Sequence, residues 1–136
     1  MQFAFTEEQA MIADTARAFF AENATSERTR RAMDGDGIDR ALWTSFCTEL
    51  GLAGIAVPEA HGGSGLGLVE FATIAEAAGA QVAALPLLGL AMPARAIAAG
   101  GSEAQKREWL PKLASGEVIA APGGSDDLRV TDGKLT

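Results

Sequence analysis

Apolar positions recur with a helical period along most of this chain. Ile12, Ala16, Phe19 and Phe20 stand at i, i+4, i+7 and i+8, which gathers them on one helix face. Thr6-Glu7-Glu8-Gln9 opens that helix as a capping box, its Thr hydroxyl and Gln side chain satisfying backbone donors that lack an intrahelical partner. A short charged helix follows over 25–33, and Asp34-Gly35-Asp36-Gly37 breaks it. Asp39 is placed to cap a third helix with the apolar face Leu42, Trp43, Phe46, Cys47 and Leu50, and Gly51 fits its C-terminal cap. The apolar run Leu52–Val57 reads as a strand leading into Pro58 and a Gly-rich loop.

An Ala-rich helix resumes over 66–80, with Leu68, Phe71, Ala72, Ala75 and Ala78 on one face. Small residues there permit close helix–helix approach. Residues 87–99 are apolar over most of their surface, which predicts a helix buried on several sides or facing a cavity or partner. Pro93 starts or kinks its second half. Ser102-Glu103-Ala104-Gln105 is a second capping box, and its helix ends near Leu110-Pro111 or runs one turn further to Leu113. Beyond it the helical period is lost. Residues 118–136 read as short strands and turns, with Asp132-Gly133 as a hairpin turn between Arg129–Thr131 and Lys134–Thr136. The fold class predicted is mainly α: a five- to six-helix bundle over 1–116, and a short β segment beginning over 117–136.

Composition narrows the function classes. Hydrophobic residues make up 48% and charged residues 21%, the balance of a globular chain. The net charge of -7 argues against a nucleic-acid or anionic-membrane surface. The densest basic cluster, Arg28, Arg30 and Arg31 beside Glu27, reads as a solvated helix face. No apolar run approaches the length that spans a bilayer, and Glu7 and Glu8 stand where a signal peptide carries positive charge. A soluble, cytoplasmic chain is the expectation.

Few residues point to reaction chemistry. The single cysteine excludes an intrachain disulfide, and Cys47 with His61 does not make a zinc site. The run from Asp34 fails as a calcium loop, because Ile38, Asp39 and Ser45 fall where a ligand, a glycine and a glutamate are required. Gly63, Gly65 and Gly67 give G-x-G-x-G rather than a dinucleotide fingerprint. Cys47 lies on an apolar stripe and reads as a core residue, and His61 reads as structural. Glu59 reads as a loop or cap residue and Glu76 as a surface one. No catalytic residue and no metal ligand is assigned.

Three stretches carry a resemblance. "LGLAGIAVPEAHGGSGL" at 50–66, "GSEAQKREWLPKLASGE" at 101–117 and "PGGSDDLRV" at 122–130 resemble, in order and spacing, the N-terminal part of the acyl-CoA dehydrogenase family. The opening "FTEEQ" and "FFAEN" fit as well, so the resemblance covers essentially the whole chain. It implies an FAD-dependent α,β-dehydrogenation of an acyl-CoA thioester. A glutamate base takes the α-proton, the β-hydrogen leaves as hydride to the flavin, and an electron-transfer flavoprotein reoxidises it. Residues 1–116 match the family's N-terminal helical domain, and the rest matches the first strands of its β domain. The catalytic glutamate belongs to a C-terminal helical domain that these residues do not include, so the resemblance implies a chain inactive by itself.

The same resemblance names site residues. Pro122, Gly124, Ser125 and Asp126 match a loop near the flavin and thioester, which makes Gly124 and Ser125 candidates for cofactor contact; a Ser-type turn before a strand fits Ser125 equally. The family's Leu-Thr-Glu before that loop is missing from "GEVIAAPGGSDD". The helix at 87–99 matches one that lines the acyl cavity, with Leu88 and Met92 as substrate-binding candidates, and a plain core role fits them too. A homo- or hetero-oligomer is implied. Two alternatives stay open: a flavin-free, non-catalytic partner subunit of a heteromeric dehydrogenase, and an acyl-CoA oxidase or flavin monooxygenase of the same fold.

Overall fold

A computed structural model describes residues 4–121 and the backbone of two short strands, 130–131 and 134–135. Six α-helices lie among the described residues: α1 Glu7–Asn23, α2 Ser26–Met33, α3 Arg40–Glu49, α4 Leu68–Ala80, α5 Leu88–Gly100 and α6 Glu103–Ser115. β1 (Val130–Thr131) and β2 (Lys134–Leu135) pair antiparallel, Val130 opposite Leu135. The expected hairpin thus has its arms; its turn, Asp132-Gly133, lies outside the described residues.

Both capping boxes form. Thr6 Oγ1 accepts from Gln9 N at 3.1 Å and Gln9 Oε1 accepts from Thr6 N at 3.0 Å. Ser102 and Gln105 repeat the exchange at the start of α6. α1 buries Ala13, Ala16, Phe19 and Phe20 and lies along α4. Phe20 stacks on Phe46 of α3 at 5.9 Å between centroids, and Phe19 meets Phe20 edge-on at 5.3 Å. Burying each such ring stabilises the bundle by roughly 2–3 kcal/mol relative to leaving it exposed. α5 packs on α6, where Val57, Ala94, Leu110 and Leu113 make a second, smaller core.

Four expectations need correction. Leu52–Val57 is not a strand: it folds into a 3₁₀ turn at Leu52–Gly54, and a second turn follows at Glu59–His61. Its amides bond locally, Ile55 N to Leu52 O and Val57 N to Gly54 O, while Ala53, Ile55 and Val57 still reach the core. The buried face of α4 is Phe71, Thr73, Ile74, Ala77 and Ala78, and Leu68 and Ala72 are exposed. Apolar residues surround that helix, so periodicity gives little contrast; Thr73 is tolerated inside because its hydroxyl donates to Glu70 O at 2.8 Å. α6 runs through Pro111 to Ser115. Pro111 and Arg107 lie on the exposed side, so the carbonyl that proline leaves without a donor faces solvent. Arg28 leaves the solvated face and pairs with Asp39.

Candidate functional site

The end of α4, the loop over 81–87 and the start of α5 converge on an open groove of about 700 Å³. Ala75, Ala78 and Gly79 form its α4 side, Leu87, Leu88 and Met92 its α5 side, and Ile38 and Ile119–Ala121 complete the lining. Every described side chain lining it is apolar. Leu88 and Met92 stand one turn apart on α5 and are 67% and 50% exposed, so neither is a plain core residue. Leu90, Ala91 and Ala94, on the other face of α5, hold the helix in the bundle.

Gly89 lets the edge close. A Cβ there would lie 2.1 Å from the Ala120 carbonyl oxygen, so only glycine lets the segment after α6 approach α5 this nearly. Pro93 sits inside α5 and leaves the helix continuous from Leu88 to Gly100.

Asp39 follows Ile38 of the groove lining and anchors the start of α3. Its carboxylate accepts from Arg28 Nε at 2.7 Å and Arg28 Nη2 at 2.9 Å, and also from Leu42 N at 2.9 Å as the cap of α3. Its own amide donates to Ala84 O at 2.9 Å, tying α3 to the loop that borders the groove. The Arg28 hydrogen bonds hold Asp39 below the ordinary carboxylate range against an opposing desolvation effect, and they raise Arg28 in turn. Thr29 Oγ1 donates to Val82 O at 3.0 Å in the same loop, where Val82 is left-handed at φ 51°.

The Gly-rich loop offers no anion cradle. Each backbone N–H from His61 to Gly67 already donates inside the segment: Ser64 N to Gly54 O, Gly65 N to Val57 O and Leu66 N to Ile55 O hold its middle. Gly63 is there for packing, since a Cβ would lie 2.1 Å from Val57 O. The backbone of this loop therefore offers no free donors to the phosphates of a flavin dinucleotide. Gly124 and Ser125, the cofactor candidates, lie outside the described residues.

Other chemistry-bearing residues stand apart. Cys47 is half-buried behind Gly116, and burial pushes its thiol up to about 11, the opposite of what a nucleophile needs. Glu59 and Glu76 are exposed. No group of three His, Cys, Asp or Glu side chains suited to a metal occurs among the described residues. No described helix is long and apolar enough to cross a membrane. The two substrate-binding candidates, Leu88 and Met92, line this groove, whereas Gly79, Ile38 and the 119–121 edge were not singled out from the sequence. A glycine inside the otherwise Ala-rich helix was the available signal.

Residues 6–117 match the model of the acyl-CoA dehydrogenase N-terminal domain. "Acyl-CoA dehydrogenase IpdE2" of Mycolicibacterium smegmatis is 32% identical over 115 residues, covering 84% of this chain and 36% of that protein. Among solved structures, the ChsE4–ChsE5 complex from Mycobacterium tuberculosis matches at TM-score 0.78 and 30% identity, covering 88% of this chain and 33% of that one. An acyl-CoA dehydrogenase complexed with FAD from Bacillus anthracis matches at TM-score 0.69 and 32% identity, covering 90% and 23%. The chain thus spans about a third or less of the length of these relatives. Helix order, both capping boxes and the family match agree, and the chain belongs to the acyl-CoA dehydrogenase family, of which it is an N-terminal domain.

Proposed function

We propose that this domain serves an FAD-dependent acyl-CoA dehydrogenase that oxidises the α,β bond of an acyl-CoA thioester and passes electrons to an electron-transfer flavoprotein. In this reading residues 1–116 are the helical unit, 117–136 begin the β domain, and the protein works in the cytoplasm. Leu88 and Met92 shape the acyl end of the substrate site. The observation that carries the reading is the apolar groove under α5, with both residues on its open side, in a domain of this family. FAD would supply hydride acceptance. Gly124 and Ser125 are this chain's proposed contacts to it, and the described residues add shape rather than reactive groups. The 136 residues alone are expected to be inactive. The test is dichlorophenolindophenol reduction with FAD and a series of acyl-CoAs: bleaching by the isolated chain defeats its expected inactivity, and no bleaching by a longer chain that carries the β and C-terminal domains defeats the proposed reaction.

A second reading is a flavin-free partner subunit of a two-component dehydrogenase. The chain runs from Glu117 through Ala121 to Pro122 without the Leu-Thr-Glu step, and a structural relative is a ChsE4–ChsE5 complex. Co-purification with a longer flavoprotein supports it, and a chain that stays alone under native conditions opposes it.

A further inference from the structure

We propose that Thr29 is a positioning residue for the groove: together with the Asp39 amide it straps the 82–87 loop to α2 and α3 and so fixes one wall of the site. This rests on the proposed function for the use of the groove and goes beyond it in naming what holds that wall. Ala83, Leu85, Pro86 and Leu87 of the loop line the groove, whereas Val82 and Ala84 are not among the lining residues. Those two are the residues tied to other elements. Thr29 Oγ1 donates to Val82 O at 3.0 Å, and Asp39 N donates to Ala84 O at 2.9 Å. Tied and lining residues thus alternate over 82–85.

The backbone at Val82 is why the loop needs a strap. Val82 is the one non-glycine residue at positive φ among the described residues, at 51°, and its β-branched side chain is 68% exposed, so packing does little to hold it there. A backbone strained in this way persists only where its surroundings over-determine it. Val82 N to Gly79 O and Ala83 N to Ala78 O, both 3.0 Å, fix the turn at the end of α4, and the Thr29 hydroxyl adds a tie from another helix. That hydroxyl has one proton and a second acceptor in reach, Thr25 O of its own helix at 3.3 Å, and the loop carbonyl is the nearer. Losing the tie lets Val82 return to negative φ, which carries Ala83 and Leu85 with it and loosens the Asp39–Ala84 bond. Leu85 N to Ala83 O at 2.8 Å and Leu87 N to Leu85 O at 3.0 Å are tight turns that pass the shift to the start of α5. An occupant that touches Ala83 and Leu85 favours the strapped conformer, so strap and occupant strengthen each other.

The experiment measures amide hydrogen exchange in the 136-residue chain, in Thr29→Val and in Thr29→Ser, each shown folded by circular dichroism. The Asp39 and Ala83 amides report the strap, and the amide of buried Phe20 reports the bundle. Thr29→Val keeps the side-chain shape and removes the donor. It is expected to speed exchange at Asp39 and Ala83 by about fivefold, the loss of one hydrogen bond, and to speed Phe20 less. Thr29→Ser is expected to restore both rates. Unchanged exchange at Asp39 and Ala83 in Thr29→Val, or an equal acceleration at Phe20, overturns the positioning role. Decanoyl-CoA is then titrated into wild type and Thr29→Val carrying ¹³C-labelled Met methyl groups, with the Met92 signal assigned by Met92→Leu. The expected result is a Met92 shift, slower Asp39 exchange in bound wild type, and binding weaker by up to about fivefold in Thr29→Val. A Met92 shift with equal affinity in the two chains overturns the link between strap and site and leaves the proposed acyl site standing. No Met92 shift defeats the acyl site and the link with it, while the exchange rates still decide the strap.

Discussion

Removing the Asp39 carboxylate tests the junction that joins three parts of the fold at the groove. Asp39→Ala deletes a helix cap, worth about 1 kcal/mol, and leaves the Arg28 guanidinium without its partner. The side chains of Arg28 and Asp39 are 32% and 13% exposed, so the pair lies between a surface bridge and a buried one. That places its loss at about 1–2 kcal/mol. The total is roughly 2–3 kcal/mol, or a fall in Tm of about 10 °C for a domain of this size. Asp39→Asn keeps a capping oxygen and should lose only the pair. The assay is urea and thermal unfolding of both variants, Arg28→Ala and the Arg28→Ala/Asp39→Ala double variant. A coupling of about 1 kcal/mol is expected. The pH dependence has a definite sign. Asp39 is held below its unfolded value, so its contribution is complete above an ordinary carboxylate pKa of ~3.9 and disappears as pH falls through the lower folded value. The gap between wild type and Asp39→Asn should therefore close in acid. Additive single variants, or a gap that widens below pH ~4, refute the reasoning.

Two further outcomes follow from single residues. Val82 is β-branched, exposed and at φ 51°, a conformation that costs a non-glycine residue about 1–2 kcal/mol, so Val82→Gly should raise stability by about 1 kcal/mol after glycine's entropy is counted; an unchanged or lower Tm contradicts this. With its thiol pushed up to about 11, Cys47 should react with Ellman's reagent only slowly in the native chain at pH 8 and rapidly in guanidinium; immediate native labelling at pH 8 contradicts this.

How much was legible depended on how far apart the partners lie in sequence. Thr6 with Gln9 and Ser102 with Gln105 are three residues apart, so their chemistry could be read directly, and the same holds for Asp39 as a cap. The Arg28–Asp39 pair joins two helices across a glycine-rich turn, and nothing in local spacing announces it. The groove was half legible. The apolar excess of 87–99 pointed to a cavity or partner, which fits exposed Leu88 and Met92. Its α4 wall was not, because that helix is apolar nearly all round and its true inward face is chosen by α1. The sequence leaves the end of α6 open between Leu110-Pro111 and Leu113; it runs on to Ser115 because a proline whose ring faces solvent removes one exposed hydrogen bond and leaves the helix standing.

The placement of charge separates the roles of the two sides of the domain. Three of its perturbed carboxylates sit at helix starts and hold them in place. Asp39 is held by Arg28, Glu70 receives Gln9 Nε2 at 2.7 Å while also accepting from Gly67 N, and Asp36 faces Arg40. The Gln9–Glu70 contact joins the capping box of α1 to the start of α4, so the two longest-packed helices share one polar anchor. Glu70 is lowered chiefly by that hydrogen bond, as a carboxylate kept charged for structure would be. A reactive acid or base would instead show a value drawn toward neutrality at a cavity wall. The groove holds no such group among its described lining residues. Under the proposed acyl site, the side chains to vary are therefore Leu88 and Met92 on the groove wall, rather than the carboxylates that hold the helices.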